Sequence, residues 1–284
     1  MKKIVLSIVF FSLSTLLIAQ NGQPYKIFTS KGKKASYKKM LKKVSKADVV
    51  LFGEHHNNSI IHWLQLQLTK DVSKQRKLTL GAEMFEADNQ QVLNDYLSSK
   101  IDKKALDTLA RLWPNYKTDY KPLVDFAKDS NTKFIATNVP RRNAKIVFKK
   151  GFEGLDELSD LEKSFIAPLP IKYDKDLPGY VKMIEMMGGH GGDNMPKAQA
   201  IKDATMGYFI FKNLEKNKLF VHYNGSYHSD NFEAIGWYLK KYNANLNIVT
   251  ISTVEQEQLK KLGENEKGLA HFIIVVPEDM TKTY

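Results

Sequence analysis

The stretch Ala47-Asp48-Val49-Val50-Leu51-Phe52-Gly53-Glu54-His55-His56 decides the fold, because a short apolar run is followed at once by glycine and by polar side chains. An apolar run of this length, stopped by Gly53, predicts a buried strand. The residues that follow Gly53 carry carboxylate and imidazole groups. The stretch therefore predicts a core strand and, directly after it, a candidate functional site.

The rest of the chain continues this alternation of strands and helices. Further strands are predicted at residues 78–84, 134–138, 219–223, 247–251 and 271–276, and helices at residues 37–45, 60–68, 90–97, 203–214 and 232–242, after a polar lead-in. Strands that alternate with helices predict an α/β fold with a mixed, mostly parallel sheet flanked by helices. From about residue 142 to 202 the pattern changes to prolines, methionines and glycines, which predicts a smaller helical subdomain inserted into residues 20–284.

The composition limits the classes of site. The chain has 284 residues and no cysteine, which excludes disulfides, Cys-based zinc sites, iron–sulfur clusters and thiol nucleophiles. Its net charge is +12, but the lysines are scattered and no nucleic-acid recognition motif accompanies them. We therefore expect solvated basic faces and no nucleic-acid partner.

The first nineteen residues resemble a secretory signal peptide. Lys2 and Lys3 precede an apolar segment at residues 4–19, and the small residue Ala19 stands before a polar stretch. The segment is short for a membrane span. We expect cleavage after Ala19 and export of the chain.

Polar residues follow four of the predicted strands. Glu54 and His56 follow the first strand, Glu83 ends the second, Arg141 follows the third, and His228 follows the strand at residues 219–223. Binding groups in α/β sheets collect beyond the carboxyl ends of the strands. These five residues are therefore predicted to meet at one rim of the sheet as catalytic or binding groups.

A Gly-x-x-His unit occurs twice, at residues 53–56 and 225–228, each time after an apolar strand. Two imidazoles and a carboxylate can hold a divalent metal ion with one position open for water. The carboxylate could come from Glu54 or Glu83, and His56, His228 and Glu83 are the predicted set of ligands. Two alternatives stay open: Glu83 could balance a helix dipole, and Arg141 could be either an anion anchor or a surface charge.

The predicted insertion contains an apolar helix face made of Tyr180, Met183, Ile184 and Met187, followed by His190 between two pairs of glycines. A soft apolar surface with tyrosine and histidine nearby suits haem, whose iron accepts either residue. The alternative is a methionine-rich core helix followed by a hinge.

Several blocks of the sequence, taken together, resemble the ChaN family of iron-regulated haem-binding proteins. The blocks are Leu51 to His56, Leu80 to Phe85, Gln90, Trp113, Tyr120 to Pro122, Asn138 to Arg141, His190, Gln199, Asp203 to Met206 and Gly225 to His228. The ChaN family in turn resembles the Tiki metal-dependent proteases and the erythromycin esterases, which share the two Gly-x-x-His units and a glutamate.

The resemblance implies an α/β core with a helical subdomain, haem bound near that subdomain, and a homodimer formed around stacked haems. It implies an iron ligand that is a tyrosine, with a histidine assisting, and Tyr180 is the best candidate. Many ChaN proteins are lipoproteins, but this chain has no cysteine to acylate. A periplasmic or secreted protein without a lipid anchor is expected.

Three functional hypotheses follow. The first is a haem-binding protein of iron or haem uptake, working with envelope components, with Met183 and Met187 against the haem and Tyr180 or His190 on its iron. The second is a metal-dependent hydrolase, Tiki-like or esterase-like, in which Glu54 acts as general base and His56, Glu83 and His228 hold the metal. The third is an envelope interaction protein whose polar rim is vestigial.

Overall fold

Eight strands form a single sheet in a computed structural model that describes residues 24–186 and 192–284. The strands are β1 (Lys26–Thr29), β2 (Lys34–Ala35), β3 (Val49–Glu54), β4 (Lys77–Glu86), β5 (Lys133–Asn138), β6 (Lys218–Gly225), β7 (Ile248–Gln256) and β8 (Phe272–Pro277). Their order is β2-β1-β8-β7-β3-β6-β4-β5. All pairs from β8 to β5 are parallel, and β1 is antiparallel to both of its neighbours. The predicted mixed, mostly parallel α/β fold is confirmed.

Helices connect the strands. They are α1 (Tyr37–Val44), α2 (Ser59–Ser73), α3 (Gln90–Leu97), α4 (Lys103–Leu109), α5 (Lys121–Asp129), α6 (Arg141–Lys150), α7 (Asp160–Lys163), α8 (Pro178–Met186), α9 (Asn194–Lys212) and α10 (Ile235–Tyr242). None of the helices in the described part of the chain is long and apolar enough to span a bilayer.

Two details of the sequence-based prediction were wrong. The polar lead-in contains two strands, the edge strand β2 and its neighbour β1. Ile27 and Phe28 of β1 are buried, but two apolar residues are too few to mark a strand in the sequence. Helix α9 begins at Asn194 rather than at residue 203. A four-residue strand and a helix start without a strong cap both carry little local signal.

The central strand β3 shows why both faces of the sheet are covered. All six of its residues are buried. Val50 and Phe52 pack into the core beneath α2 and α5, whereas Val49 and Leu51 pack against α9 and α10. Successive side chains of a strand point to opposite faces, so an unbroken apolar run is what a strand between two helical layers requires. Full burial of each of these large side chains stabilises the fold by roughly 1.5–3 kcal/mol.

Between β5 and β6 the described chain is helical, comprising α6, α7, α8 and α9. Helices α6 and α9 share an apolar cluster with the segments between α6 and α8; it includes Val147, Leu155, Ile166 and Ile201 and also Tyr238 of α10. Helix α9 packs against α6, α10 and β5. The inserted helices are therefore anchored to the sheet close to the strands that carry the polar residues.

Candidate functional site

Three adjacent parallel strands, β3, β6 and β4, end at the same edge of the sheet and carry the predicted polar residues there. Glu54 ends β3 and His56 follows it, while His228 lies in a short turn directly after β6. Glu83 lies within β4, three residues before the strand ends. The structure therefore brings Glu54, His56, Glu83 and His228 into one cluster, which we call the rim cluster.

The two Gly-x-x-His units pack against each other, and this explains their glycines. A Cβ atom on Gly53 would lie 2.8 Å from the Cα atom of Ser226 in the second unit. A Cβ atom on Gly225 would lie 2.9 Å from His56 Nε2 in the first unit and 3.5 Å from Glu83 Oε2. Such contacts leave no room for a side chain. Each glycine thus makes space for the other unit.

Of the two adjacent histidines, His55 and His56, only His56 turns toward the other residues of the rim cluster. Its Nδ1 atom lies 2.9 Å from Glu54 Oε1, and its ring meets Trp113 edge-on with 4.8 Å between ring centroids. His55 turns elsewhere, with Nε2 3.1 Å from the carbonyl oxygen of Thr253. Burial opposes a charge on His56, but the bond to Glu54 and the charge of Glu83 raise its pKa.

Glu54 is buried beneath His56 and is fully hydrogen-bonded. Tyr120 donates to Glu54 Oε1 at 2.5 Å, and Gln65 donates to Oε2 at 2.5 Å. Burial favours the neutral acid, but the imidazoles of His62 and His56 and the hydroxyl of Tyr120 together lower the pKa of Glu54. Only 4% of this residue is exposed, and its carboxylate contacts His56 rather than solvent.

His228 lies between two carboxylates. Its Nδ1 atom is 2.5 Å from Asp203 Oδ1, and its Nε2 atom is 3.3 Å from Glu83 Oε1. Burial opposes protonation, but the charges of Glu83 and Asp203 outweigh it and raise the pKa of His228 to about 10. Glu83 also accepts the backbone N–H of Gly225 at 2.8 Å. Although burial favours its neutral form, the charge of His228 keeps the pKa of Glu83 well below its usual range.

Among the other predicted site residues, Arg141, Tyr180 and Met183 form no hydrogen bond with the four residues of the rim cluster in the described part of the chain, and Met187 and His190 lie outside it. Arg141 is exposed in the first turn of α6. Tyr180 of α8 is only 3% exposed and donates its hydroxyl to Asp203 Oδ2 at 3.1 Å. Burial and the charge of Asp203 raise the pKa of Tyr180 far above its usual value. Met183 is half-buried on α8, while Met187 and His190 fall in residues 187–191, which the structure does not describe.

The predicted metal ligands come together without forming a metal-binding arrangement. Within residues 24–186 and 192–284, no group of three His, Asp or Glu side chains could hold a metal ion. Both oxygens of Glu83 are occupied, one by His228 and the other by Gly225. A cation between Glu83 and His228 would have to replace the proton on His228 Nε2. The divalent metal ion therefore stays a prediction.

Sequence reasoning missed the groups that hold the two histidines. Asp203, on the buried side of α9, and Tyr120 and Gln65 around Glu54 were not predicted as site residues. Asp203 has one local signal, since it is a single acid among the buried apolar residues Ala200, Ile201 and Ala204. A carboxylate in such a setting needs a partner, but the pattern does not say which one.

Residues 40–239 match the family described as haem-binding uptake, Tiki superfamily, ChaN. The chain belongs to this family. The match contains the rim cluster and the inserted helices, and it confirms the resemblance inferred from the motifs.

Known relatives of this ChaN-family protein differ in how much they share with it. A solved structure of ChaN of Campylobacter jejuni, described by its cofacial haem binding, has a TM-score of 0.68 at 18% identity, over 90% of this chain and 98% of that one. The type III effector HopBA1 has a TM-score of 0.48 at 11% identity, over 85% and 93%. The Arabidopsis thaliana protein RETICULATA-RELATED 5, chloroplastic, is 28% identical to this chain over 48% of its residues. The match covers only 19% of the length of that protein. At 18% identity, the likeness to ChaN of Campylobacter jejuni shows the fold.

Proposed function

We propose that this ChaN-family protein is an exported haem-binding protein of haem or iron acquisition. The observation that carries the proposal is the family match across both the sheet and the inserted helices. ChaN of Campylobacter jejuni, which has the same fold, is described as binding haem cofacially. Haem is therefore the ligand that we assign to this chain.

Helix α8 offers a surface suited to haem. Val181 is 39% exposed and Met186 is 73% exposed, while Met183 and Ile184 are half-buried beside them. Exposed apolar groups on a methionine-rich helix can pack against a flat porphyrin. Lys182 is exposed on the same helix, and the chain has a net charge of +12, which suits the two propionates of haem.

The proposal extends to location and partners. Export rests on the sequence of residues 1–19, which lie outside the described residues. A homodimer that encloses haem and the envelope components of an uptake system are the partners that we propose. Tyr180 or His190 is the proposed iron ligand, and for Tyr180 this requires its hydroxyl to leave Asp203.

A haemin titration tests the proposal. We expect residues 20–284 to bind haemin with a Soret band, and Val181→Glu to weaken binding by at least about tenfold because haem would bury an unpaired charge. Leu161→Glu is the matched control, since Leu161 is an exposed apolar residue of α7. His190→Ala is expected to change the Soret spectrum. Equal haemin affinity for both glutamate variants would argue against haem on α8.

A metal-dependent hydrolase is the second candidate function, and one feature of the rim cluster supports it, although no group of three side chains in the described residues could hold a metal ion. His56 and His228 each have Nδ1 at a carboxylate, a common arrangement around metal-ligating histidines. Calorimetric titration of the chelator-treated chain with Mn²⁺ and Zn²⁺ is expected to show one site that is lost in His56→Ala and in His228→Ala. His55→Ala is the control, because His55 turns toward Thr253. No binding to the wild type, or equal loss in all three variants, would remove this candidate.

A further inference from the structure

The two histidines of the rim cluster are held by the same arrangement of groups. His56 Nδ1 lies 2.9 Å from Glu54, which accepts the hydroxyl of Tyr120 at 2.5 Å. His228 Nδ1 lies 2.5 Å from Asp203, which accepts the hydroxyl of Tyr180 at 3.1 Å. Both carboxylates are buried, at 4% and 0% exposure. Each histidine is thus backed by a carboxylate and then by a tyrosine.

In each ring a carboxylate lies at Nδ1, which leaves Nε2 on the side of Glu83. The side-chain amide of Gln199 also lies 3.0 Å from Nδ1 and 3.1 Å from Nε2 of His228. With Nδ1 engaged, His228 presents Nε2 to Glu83 Oε1 at 3.3 Å. His56 presents Nε2 to the space above Gly225, close to the other oxygen of Glu83. A hydrogen bond to one ring nitrogen sets both the tautomer and the direction of the other. The carboxylate behind each ring therefore decides what the rim cluster can bind.

The supports of the two histidines come from different parts of the chain. Glu54 ends β3, and Tyr120 precedes α5. Asp203 and Tyr180 belong to α9 and α8, the helices between β5 and β6. His56 is therefore positioned by the end of β3 and by the helical segment before α5, whereas His228 depends on α8 and α9.

We propose that Asp203, held by Tyr180, is the positioning residue for His228. This inference goes beyond the proposed function. It assigns the Tyr180 hydroxyl to Asp203, a role that Tyr180 cannot have while it is an iron ligand. One hydroxyl cannot both donate to Asp203 and bind iron as a tyrosinate. The inserted helices would thus orient an imidazole of the rim cluster as well as offer a surface to haem.

Proton NMR of residues 20–284 with ¹⁵N-labelled histidine, free of haem and metal, tests the inference. We expect a protected, downfield Nδ1–H resonance for His228, assigned by its absence in His228→Gln, because hydrogen bonds to a buried carboxylate are strong. Asp203→Asn is expected to remove this protected resonance, and Tyr180→Phe to shift it and speed its exchange. Tyr173→Phe is the matched control, because its ring lies 5.5 Å from that of Tyr180.

The outcomes separate this inference from the proposed function. If folded Asp203→Asn keeps the wild-type resonance, or Tyr180→Phe behaves like Tyr173→Phe, the inference is wrong. It is also wrong if Tyr180→Phe alters the visible spectrum of the haemin complex while the imidazole proton stays unchanged. The NMR measurement contains no haemin or metal, so a failure of haem or metal binding leaves its result interpretable. Circular dichroism of each variant confirms that it is folded.

Discussion

Replacing Glu54 with alanine is expected to lower the free energy of unfolding by about 3–5 kcal/mol. The carboxylate accepts from Tyr120, Gln65 and His56 in a site that is 4% exposed. Alanine would leave these buried donors without an acceptor, and each unpaired group costs about 1–3 kcal/mol. Urea unfolding at pH 7, followed by tryptophan fluorescence, measures the change.

Two further variants define what the Glu54 result means. Glu54→Gln keeps the shape and one acceptor oxygen, so its loss of stability should fall between those of the alanine variant and the wild type. Glu264→Ala is the matched control, because the exposed Glu264 pairs with two lysines at the surface, and pairs of this kind contribute little. If Glu54→Ala and Glu264→Ala unfold at the same urea concentration, Glu54 does not hold the rim cluster together.

If the rim cluster binds a metal ion, as the second candidate function proposes, Gly225→Ala is expected to weaken that binding strongly while the fold survives. The new methyl group would lie 2.9 Å from His56 Nε2 and 3.5 Å from Glu83 Oε2, in the space that an occupant of the cluster would use. Its backbone, at φ −55° and ψ 140°, is ordinary for any residue, so the effect arises from space alone. Under that proposal we expect Zn²⁺ affinity to fall by about 10–100-fold, and in either case we expect stability to fall by about 1–3 kcal/mol.

Gly236→Ala provides the comparison for Gly225→Ala. Gly236 is buried in α10, but an added Cβ atom would meet only Leu51 Cδ1, at an ordinary 3.9 Å. Alanine is the better helix former by up to about 1 kcal/mol, so this variant should be at least as stable as the wild type and bind Zn²⁺ equally well. Unchanged Zn²⁺ binding in Gly225→Ala would show that any metal sits away from the space between His56 and Glu83.

The placement of the rim cluster could be predicted because it depends on a short-range pattern and one topological rule. A glycine and polar residues follow an apolar run at Gly53 and again at Gly225, and parallel strands end on the same side of a sheet. The local pattern predicts both glycines as strand stops. Their contacts with the opposite unit could not be foreseen, because the pairing of Glu54 with Gly225 depends on which strands become neighbours.

In helix α8 the spacing of apolar residues does not predict which side chains are buried. The helical spacing correctly groups Tyr180 with Met183 on a common side, yet it leaves open which residues turn inward. Tyr180 is buried while Val181 and Met186 are exposed. The acceptor for the Tyr180 hydroxyl is Asp203, 23 residues further along the chain, and an unpaired buried hydroxyl would be costly.

The amino-acid sequence by itself determined the α/β class, the six parallel strands, the strand ends at which polar groups gather, and the family. Only the tertiary structure decided which groups hold His56 and His228. Hydrophobic periodicity is written into neighbouring residues, so it can be read locally. The partners of buried polar atoms are chosen by packing across long separations, 66 residues between Glu54 and Tyr120 and 25 between Asp203 and His228.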